Sequence, residues 1–364
     1  MSVVRMIASM ALIAGIPLMA MGDSTKFLGR GVNIAAEAPE NAFAAFAATG
    51  GNLVRLTFPN RPLRNMTPPY AFNQENMALL DHDLDICQKY GLNVVIDPHT
   101  FPGEEFSQFT TRPTDPIFSD AKYLTLAAEL WTAIAKRESQ RGSVVAGYDL
   151  MNEPALPNMG PRGTPADYNA IVRRLIQAIR SVDATHPIII EAPNLFDGTG
   201  RWAAKSNQAF GIYFDPPPAN VKNLIYSFHM YQPSQLTGEQ LANQGTGQTA
   251  QQLKYPGVIN GEMWNWEKIA EYFAPALAFQ KKYKVQIYVG EFSATRWTGD
   301  NGNRWLHDVI NYMEVHHWSW TYHEWRGGDM WDAEKTSNPN DKNRYPSTPR
   351  LNLLKSYWKL GDRP

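Results

Sequence analysis

Short runs rich in β-branched and aromatic residues recur eight times along the chain, and between them the apolar spacing switches to a helical one. That alternation demands a parallel sheet, because each strand can return to the same end only through a crossover, usually a helix. The runs are Gly31–Ile34, Leu53–Phe58, Asn93–Asp97, the run ending in Tyr148–Pro154, Ile188–Glu191, Leu224–Tyr231, Gln286–Phe292 and Trp318–Trp325. Helical spacing over Pro39–Ala48, Asn73–Tyr90, Asp120–Arg137, Asp167–Ser181, Trp266–Tyr283, Asn303–Val315 and Leu351–Leu360 supplies the returns. A single α/β domain, a (β/α)8 TIM barrel, uses all of these runs, and 364 residues is a length such barrels reach. An open doubly wound sheet would want a Gly-rich phosphate turn after its first strand, whereas Gly31 leads only to Asn33 and Ile34. The excursion Gln232–Gly261 is too long for a simple connection, which points to function or mobility, and Asn194–Asp215 reads as irregular.

The first residues have one early cation, Arg5, an apolar stretch from Met6 to Ala20, and then small residues. This pattern predicts a secretory signal over residues 1–22, cleaved after Gly22, and a soluble mature domain over 23–364, secreted or periplasmic. The apolar stretch is short for a membrane span, so no membrane partner is expected. Cys87 is the only cysteine and lies on a helical stretch, which predicts a buried inert thiol and no intrachain disulfide. With 34 basic against 35 acidic residues and no basic cluster, nucleic acid is excluded as an expected partner, and a monomer is the expected state. The 11 tryptophans exceed what packing needs, and many are expected to be partly exposed.

Functional groups of such a barrel collect at the C-terminal ends of its strands. Those ends offer Arg55, His99, Asn152 and Glu153, His229 and Tyr231, Glu291, and then Trp320, His323 and Trp325. Pro154 stops the fourth strand just after Asn152-Glu153 and holds that pair at the rim. Glu153 and Glu291 are 138 residues apart, so only barrel closure brings them face to face. Two carboxyl groups across a cleft, without a nucleotide loop, are the equipment for breaking a glycosidic bond: one neutral to protonate the leaving oxygen, the other ionised. Arg55 beside Glu291 would favour the charged form, while burial and repulsion would raise Glu153. Taken singly, Glu153 reads as a structural carboxylate paired to Arg55, and His99 and His229 as satisfied core histidines. His99, His229 and His323 could mimic a metal site, but they lack a carboxylate at ligand spacing and a His-x-His or His-x-x-x-His pattern; neither metal nor other cofactor is expected.

Asn152-Glu153-Pro154, Arg55 in Val-Arg-Leu, His99 after Asp-Pro, His229-Met230-Tyr231 and Gly290-Glu291-Phe292 follow one another from about Gly31 to Trp325. In that order they resemble glycoside hydrolase family 5, the cellulase-like retaining (β/α)8 glycosidases. The resemblance implies Glu153 as acid/base, Glu291 as nucleophile, Asn152 as donor to the sugar 2-hydroxyl, and His229 and Tyr231 as positioners of the nucleophile. It also implies that Arg55 and His99 hold the same subsite. Many members end strand eight in a Trp-x-x-Trp arrangement whose second Trp floors the cleavage subsite; here His323 falls at that place, and either it or Trp325 takes the role, with Trp325 preferred. Trp202, Trp264, Trp266, Trp297 and Trp331 lie in rim loops after strands five to eight, where aromatic faces suit sugar rings, and Trp202, Trp264 and Trp297 are retained as substrate-binding candidates.

The implied activity is that of a secreted, retaining endo-β-1,4-glucanase acting on a plant-type polysaccharide. A β-mannanase or another β-glucan or xyloglucan hydrolase is the alternative within the same chemistry. A non-catalytic carbohydrate-binding barrel is the alternative outside it, and could have discarded either glutamate. A barrel aldolase or isomerase would want a strand-end Lys or a phosphate-binding loop that Gly290 and Gly327-Gly328 do not make.

Overall fold

The computed structural model describes residues 28–104, 112–238 and 252–360. The signal expected over residues 1–22 lies outside the described residues, as does part of the Gln/Gly-rich excursion, residues 239–251. The strands are β1 Arg30–Ala35, β2 Leu53–Thr57, β3 Asn93–Asp97, β4 Val145–Asp149, β5 Ala155–Leu156, β6 Ile188–Glu191, β7 Asn194–Phe196, β8 Trp202–Ala204, β9 Leu224–Met230, β10 Gly257–Ile259, β11 Glu262–Trp264, β12 Gln286–Phe292 and β13 Ser319–Tyr322. Eight of them, in the order β1-β2-β3-β4-β6-β9-β12-β13, close into a parallel barrel. Helices cover it, each start fixed by a side-chain cap where the sequence provides one: Asn73 accepts from the amide of Asn76, Asp120 from Lys122, Asp167 from Ala170, Asn265 from Lys268 and Thr348 from Leu351. No helix among the described residues is long and apolar enough to cross a membrane.

Strand periodicity divides the barrel interior into two layers. Leu53, Val95, Ile189, Ile225 and Tyr288, with Leu28 beneath them, form a dry plug at the N-terminal end. Two residues further along each strand the same face turns polar: Leu53 is succeeded by Arg55, Val95 by Asp97 and Ile189 by Glu191, all buried. The larger core lies outside the barrel, between strands and helices, and takes most of the tryptophans. Trp131, Trp305, Trp318 and Trp320 are fully buried, so the expectation that many tryptophans reach solvent fails for these four. Their large apolar surface is what makes them effective anchors between barrel and helices.

Two features on the C-terminal face were not readable from the sequence. Asn194–Asp215 holds β7, β8 and the helix Ser206–Ile212, and β5-β7-β8 form a small sheet beside the barrel. The end of the long excursion folds back as the antiparallel pair β10-β11. Strands of two or three residues are too short to show a period. Cys87 is buried as expected, and burial pushes its thiol far above the ordinary range.

Candidate active site

Arg55 organises the polar layer. Its side chain is inaccessible, and it donates from Nε to Asp149 Oδ2 at 2.9 Å, from Nη1 to Glu291 Oε1 at 2.7 Å and from Nη2 to Glu191 Oε1 at 2.9 Å. The Nη2 also lies 3.0 Å from Asp97 Oδ2 and donates to Asn152 Oδ1 at 3.0 Å. One guanidinium thus faces four carboxyl groups, far more than a pair on a surface would hold together. Burial and the charge of Glu191 push the Asp149 carboxyl well above its ordinary range against the pull of Arg55. Among the described residues the Asp149 Oδ1 has no hydrogen-bond partner, a position that costs less in a neutral group than in an anion.

Glu291 reaches the site through an irregularity. Strict alternation from inward-facing Tyr288 would turn Gly290 inward and Glu291 away, but the β9–β12 register shifts between Val289 and Glu291. Gly290 is required there, since a Cβ would sit 3.0 Å from His229 Nε2 and 3.1 Å from Ser227 Oγ. Its carbonyl, accepting from Asn33 Nδ2 at 2.9 Å and from Thr321 Oγ1 at 2.6 Å, pins the shifted backbone. The delivered carboxylate is held on both oxygens, Oε1 by Arg55 and Oε2 by the Tyr231 hydroxyl at 2.9 Å. Burial alone would raise the Glu291 carboxyl; the charges of His229, His323, Arg55 and His99 outweigh it and hold the group well below the usual carboxylate range. Tyr231 is pushed well above its ordinary value by burial and by Glu291, so it remains a phenol that donates.

Glu153 approaches from the opposite rim. It and His99 both adopt left-handed backbone, φ 42° and 66°, uncommon for residues with a side chain and held here by surrounding bonds. The amide of Glu153 donates to Glu191 Oε2 at 2.8 Å, and that of His99 to Asp97 Oδ1 at 2.8 Å. His99 Nδ1 is 2.7 Å from Asp97 Oδ2, and its Nε2 is 3.3 Å from Asn152 Nδ2, so Arg55 and His99 orient the Asn152 amide from either side. Burial would lower the His99 imidazole, but Asp97 raises it overall. His229 Nδ1 stands 2.7 Å from Glu153 Oε1 and 3.7 Å from Glu291 Oε2, so its closer bond is to Glu153 rather than to the residue it was expected to position.

The three come close: one oxygen of each carboxyl and a nitrogen of His229 all lie within 4.8 Å of one another. Such a trio has the count to hold a metal, though the same three groups equally make a proton-handling cluster. Burial opposes protonation of His229, yet the nearby charges of Glu191 and Glu291 and the bond to Glu153 push the imidazole well above its ordinary value. The site therefore suits proton transfer and attack by a carboxylate.

Beyond β13 the two candidates for the floor of the cleavage subsite lie in different places. His323 comes to 3.6 Å from Glu291 Oε2 and packs edge-on to Trp331 with ring centres 4.8 Å apart. Trp325, preferred from the sequence as the floor of the cleavage subsite, does not line the cleft: its amide donates to Asn33 O, its indole to Ala42 O, and its ring packs with Phe46 and Trp358 in the outer core. Trp331, noted only among the rim tryptophans, is the indole that packs beside both His323 and Tyr231, and it donates to Thr237 O. Trp202 is 53% exposed and stacks on Phe196; with Trp264, itself almost wholly buried, it lines a side cleft of about 420 Å³ that Gln232, the neighbour of Tyr231, also borders. Trp297 is half-buried on the short helix Arg296–Thr298, outside this cleft. Glu191, Asp97 and Asp149 went unassigned in the sequence, although each is a carboxylate on the last position of a buried strand.

Known proteins resemble this chain in sequence and in fold. The chain is 24% identical over 326 residues to Endoglucanase C of Acetivibrio thermocellus, covering 81% of this chain and 84% of that one. In fold it matches Thermotoga maritima Cel5A in complex with cellobiose at a TM-score of 0.68 and 23% identity, over 91% of this chain and 98% of that one. A complex of the same enzyme with mannotriose matches at 0.66 and 22% identity over the same shares. The family model Cellulase (glycosyl hydrolase family 5) covers residues 21–329. A match over that much of a chain whose barrel carries paired glutamates beyond β4 and on β12 makes this protein a glycoside hydrolase of family 5.

Proposed function

We propose that the protein is an exported, retaining endo-β-1,4-glucanase that works as a single chain, with residues 1–22 as its leader and 23–364 as its catalytic domain. The observation that carries the mechanism is the approach of the Glu153 and Glu291 oxygens to within 4.8 Å. Retaining glycosidases hold their carboxyl groups about 5–5.5 Å apart, and inverting ones about 6.5–9.5 Å, to admit a water between them. In the first step Glu291 attacks the anomeric carbon as the bond to the leaving oxygen breaks, and Glu153 gives that oxygen its proton. In the second, Glu153, now a carboxylate, takes a proton from water, whose oxygen displaces Glu291 from the sugar. Arg55 and Tyr231 hold Glu291 ionised before attack and accept its return as a leaving group. Asn152, fixed by Arg55 and His99, presents its Nδ2 toward the sugar 2-hydroxyl.

The β-linked glucan is supported by the family and by the endoglucanase likeness; mannan and xyloglucan remain the competing substrates, separable by product profile. Stereochemistry is the direct test. Proton NMR during hydrolysis of an aryl β-cellobioside should show the β hemiacetal first, with the α form appearing only through mutarotation. Initial release of the α anomer would overturn the double displacement.

The Trp202 cleft supports binding of glycan beyond the cleaved bond. An exposed indole braced by Phe196 is a rigid platform for the apolar face of a pyranose. Trp202→Ala should raise KM for cellohexaose by about 2- to 10-fold while leaving an aryl cellobioside unaffected. An equal change on both substrates, or none on either, would remove Trp202 from the substrate path.

A further inference from the structure

The contacts of Glu191 go beyond those of a counter-ion for Arg55. It ends β6, is 1% exposed, and its two oxygens have different duties. Oε2 accepts the backbone amide of Glu153 at 2.8 Å, at the residue where the chain turns left-handed. Oε1 receives Arg55 at 2.9 Å and stands 3.1 Å from His229 Nε2, while the other nitrogen of the same ring meets the Glu153 carboxyl at 2.7 Å. Glu191, His229 and Glu153 therefore form a line that reaches the proposed acid/base group from behind.

We propose that Glu191 is a positioning residue that acts through His229, keeping the imidazole protonated toward Glu153 while the sugar is esterified to Glu291. The inference rests on the double displacement proposed above. Three carboxyl groups face His229: Glu153 beyond β4, Glu191 on β6 and Glu291 on β12. Arg55 on β2 touches Glu191 and Glu291, and His323 beyond β13 and Tyr231 beyond β9 touch Glu291. When Glu291 becomes an ester its negative charge is gone, and with it part of what holds the proton on His229. This is the stage at which Glu153 must be an ionised base, and a cation against its Oε1 favours that form. Glu191 takes no part in the covalent chemistry and keeps its charge throughout, so it maintains the cation when Glu291 cannot.

The consequence is specific to the second half of the reaction. An aryl β-cellobioside with a good leaving group makes hydrolysis of the glycosyl-enzyme limiting, so kcat reports that step and kcat/KM the first. In Glu191→Gln, kcat should fall about 10- to 100-fold and kcat/KM much less, with a burst of aryl alcohol marking accumulated intermediate. The sign of the pH effect follows from removing an anion beside a cation: the ring loses its proton at lower pH, so the basic limb of kcat should move down by about one to three pH units. Glu191→Asp should restore most of both. Because Gln turns an amide toward Arg55 and His229, a double-mutant cycle guards against a purely structural loss. If Glu191 works through His229, adding Glu191→Gln to His229→Gln should lower kcat little further. Equal loss of kcat and kcat/KM with an unmoved pH limb, or full additivity in the cycle, would overturn the inference. Should Glu191→Gln fail to fold, Glu191→Asp decides, by a smaller shift in the same direction or none. A wild-type enzyme that released the α anomer would instead count against the double displacement itself, so the two failures are distinguishable.

Discussion

Replacing Arg55 with leucine is expected to cost the protein about 3–5 kcal/mol of stability, lowering Tm by about 10 °C, and to abolish hydrolysis. The shape of the side chain is not the issue, since leucine would pack on top of the plug formed by Leu53 and Val95. What is lost is the cation that contacts Asp97, Asp149, Glu191 and Glu291 together. Against a total stability of about 5–15 kcal/mol, several buried carboxyls left without that partner are a large fraction. The deficit has a signature in pH. In the wild type Asp97 is drawn below its ordinary value, Arg55 and His99 outweighing burial, and Glu291 is likewise held well below its own. A depressed folded-state value contributes stability that is present above pH ~4 and lost as pH falls through the folded value. Without Arg55 these groups rise instead, so the variant gains stability relative to wild type as pH falls. Thermal melts of both proteins between pH 7 and pH 4 should show the gap narrowing on acidification. A gap that is constant or widens would mean that packing, rather than charge, is what Arg55 supplies.

Glu291→Ala should reduce turnover of an activated aryl β-cellobioside on the order of 10⁴-fold or more while leaving the fold intact. Loss alone would not identify the role, but azide can. With the carboxylate removed, azide entering its space attacks the anomeric carbon once and yields the α-glycosyl azide. In Glu153→Ala the glycosyl-enzyme still forms, and azide arriving from the other face yields the β-glycosyl azide. Product NMR separates the two outcomes. The β product from the Glu291 variant, or full activity in either variant, would exchange or dissolve the assigned roles.

The barrel was legible in the sequence because each strand is a compact apolar run and each return has helical spacing, and all eight barrel strands lie within or beside the expected runs. Arg55, His99, Asn152, Glu153, His229, Tyr231 and Glu291 were legible for a different reason: a polar residue ending a buried strand needs partners, and a barrel supplies them from across its mouth. Glu191 meets the same criterion and was passed over because its three preceding isoleucines read only as core. Asp97 and Asp149 were hidden in the same way. Trp325 was misplaced because the chain leaves β13 after Tyr322 and swings outward, which spacing along a strand cannot anticipate. The side cleft was not foreseeable, since β7, β8, β10 and β11 are each three residues long.

The charge cluster around Arg55 also bears on how the molecule folds. Asn33, Arg55, Asp97, Asp149, Glu191, His229, Glu291 and His323 come from all eight barrel strands or the residues just beyond them. A partly closed barrel would bury some of these charges without their partners, the least tolerable arrangement for groups of this kind. Half-formed states are thereby penalised beyond their missing apolar contacts, which steepens the transition between open and closed chain. The polar layer that surrounds the proposed nucleophile thus also makes ring closure cooperative.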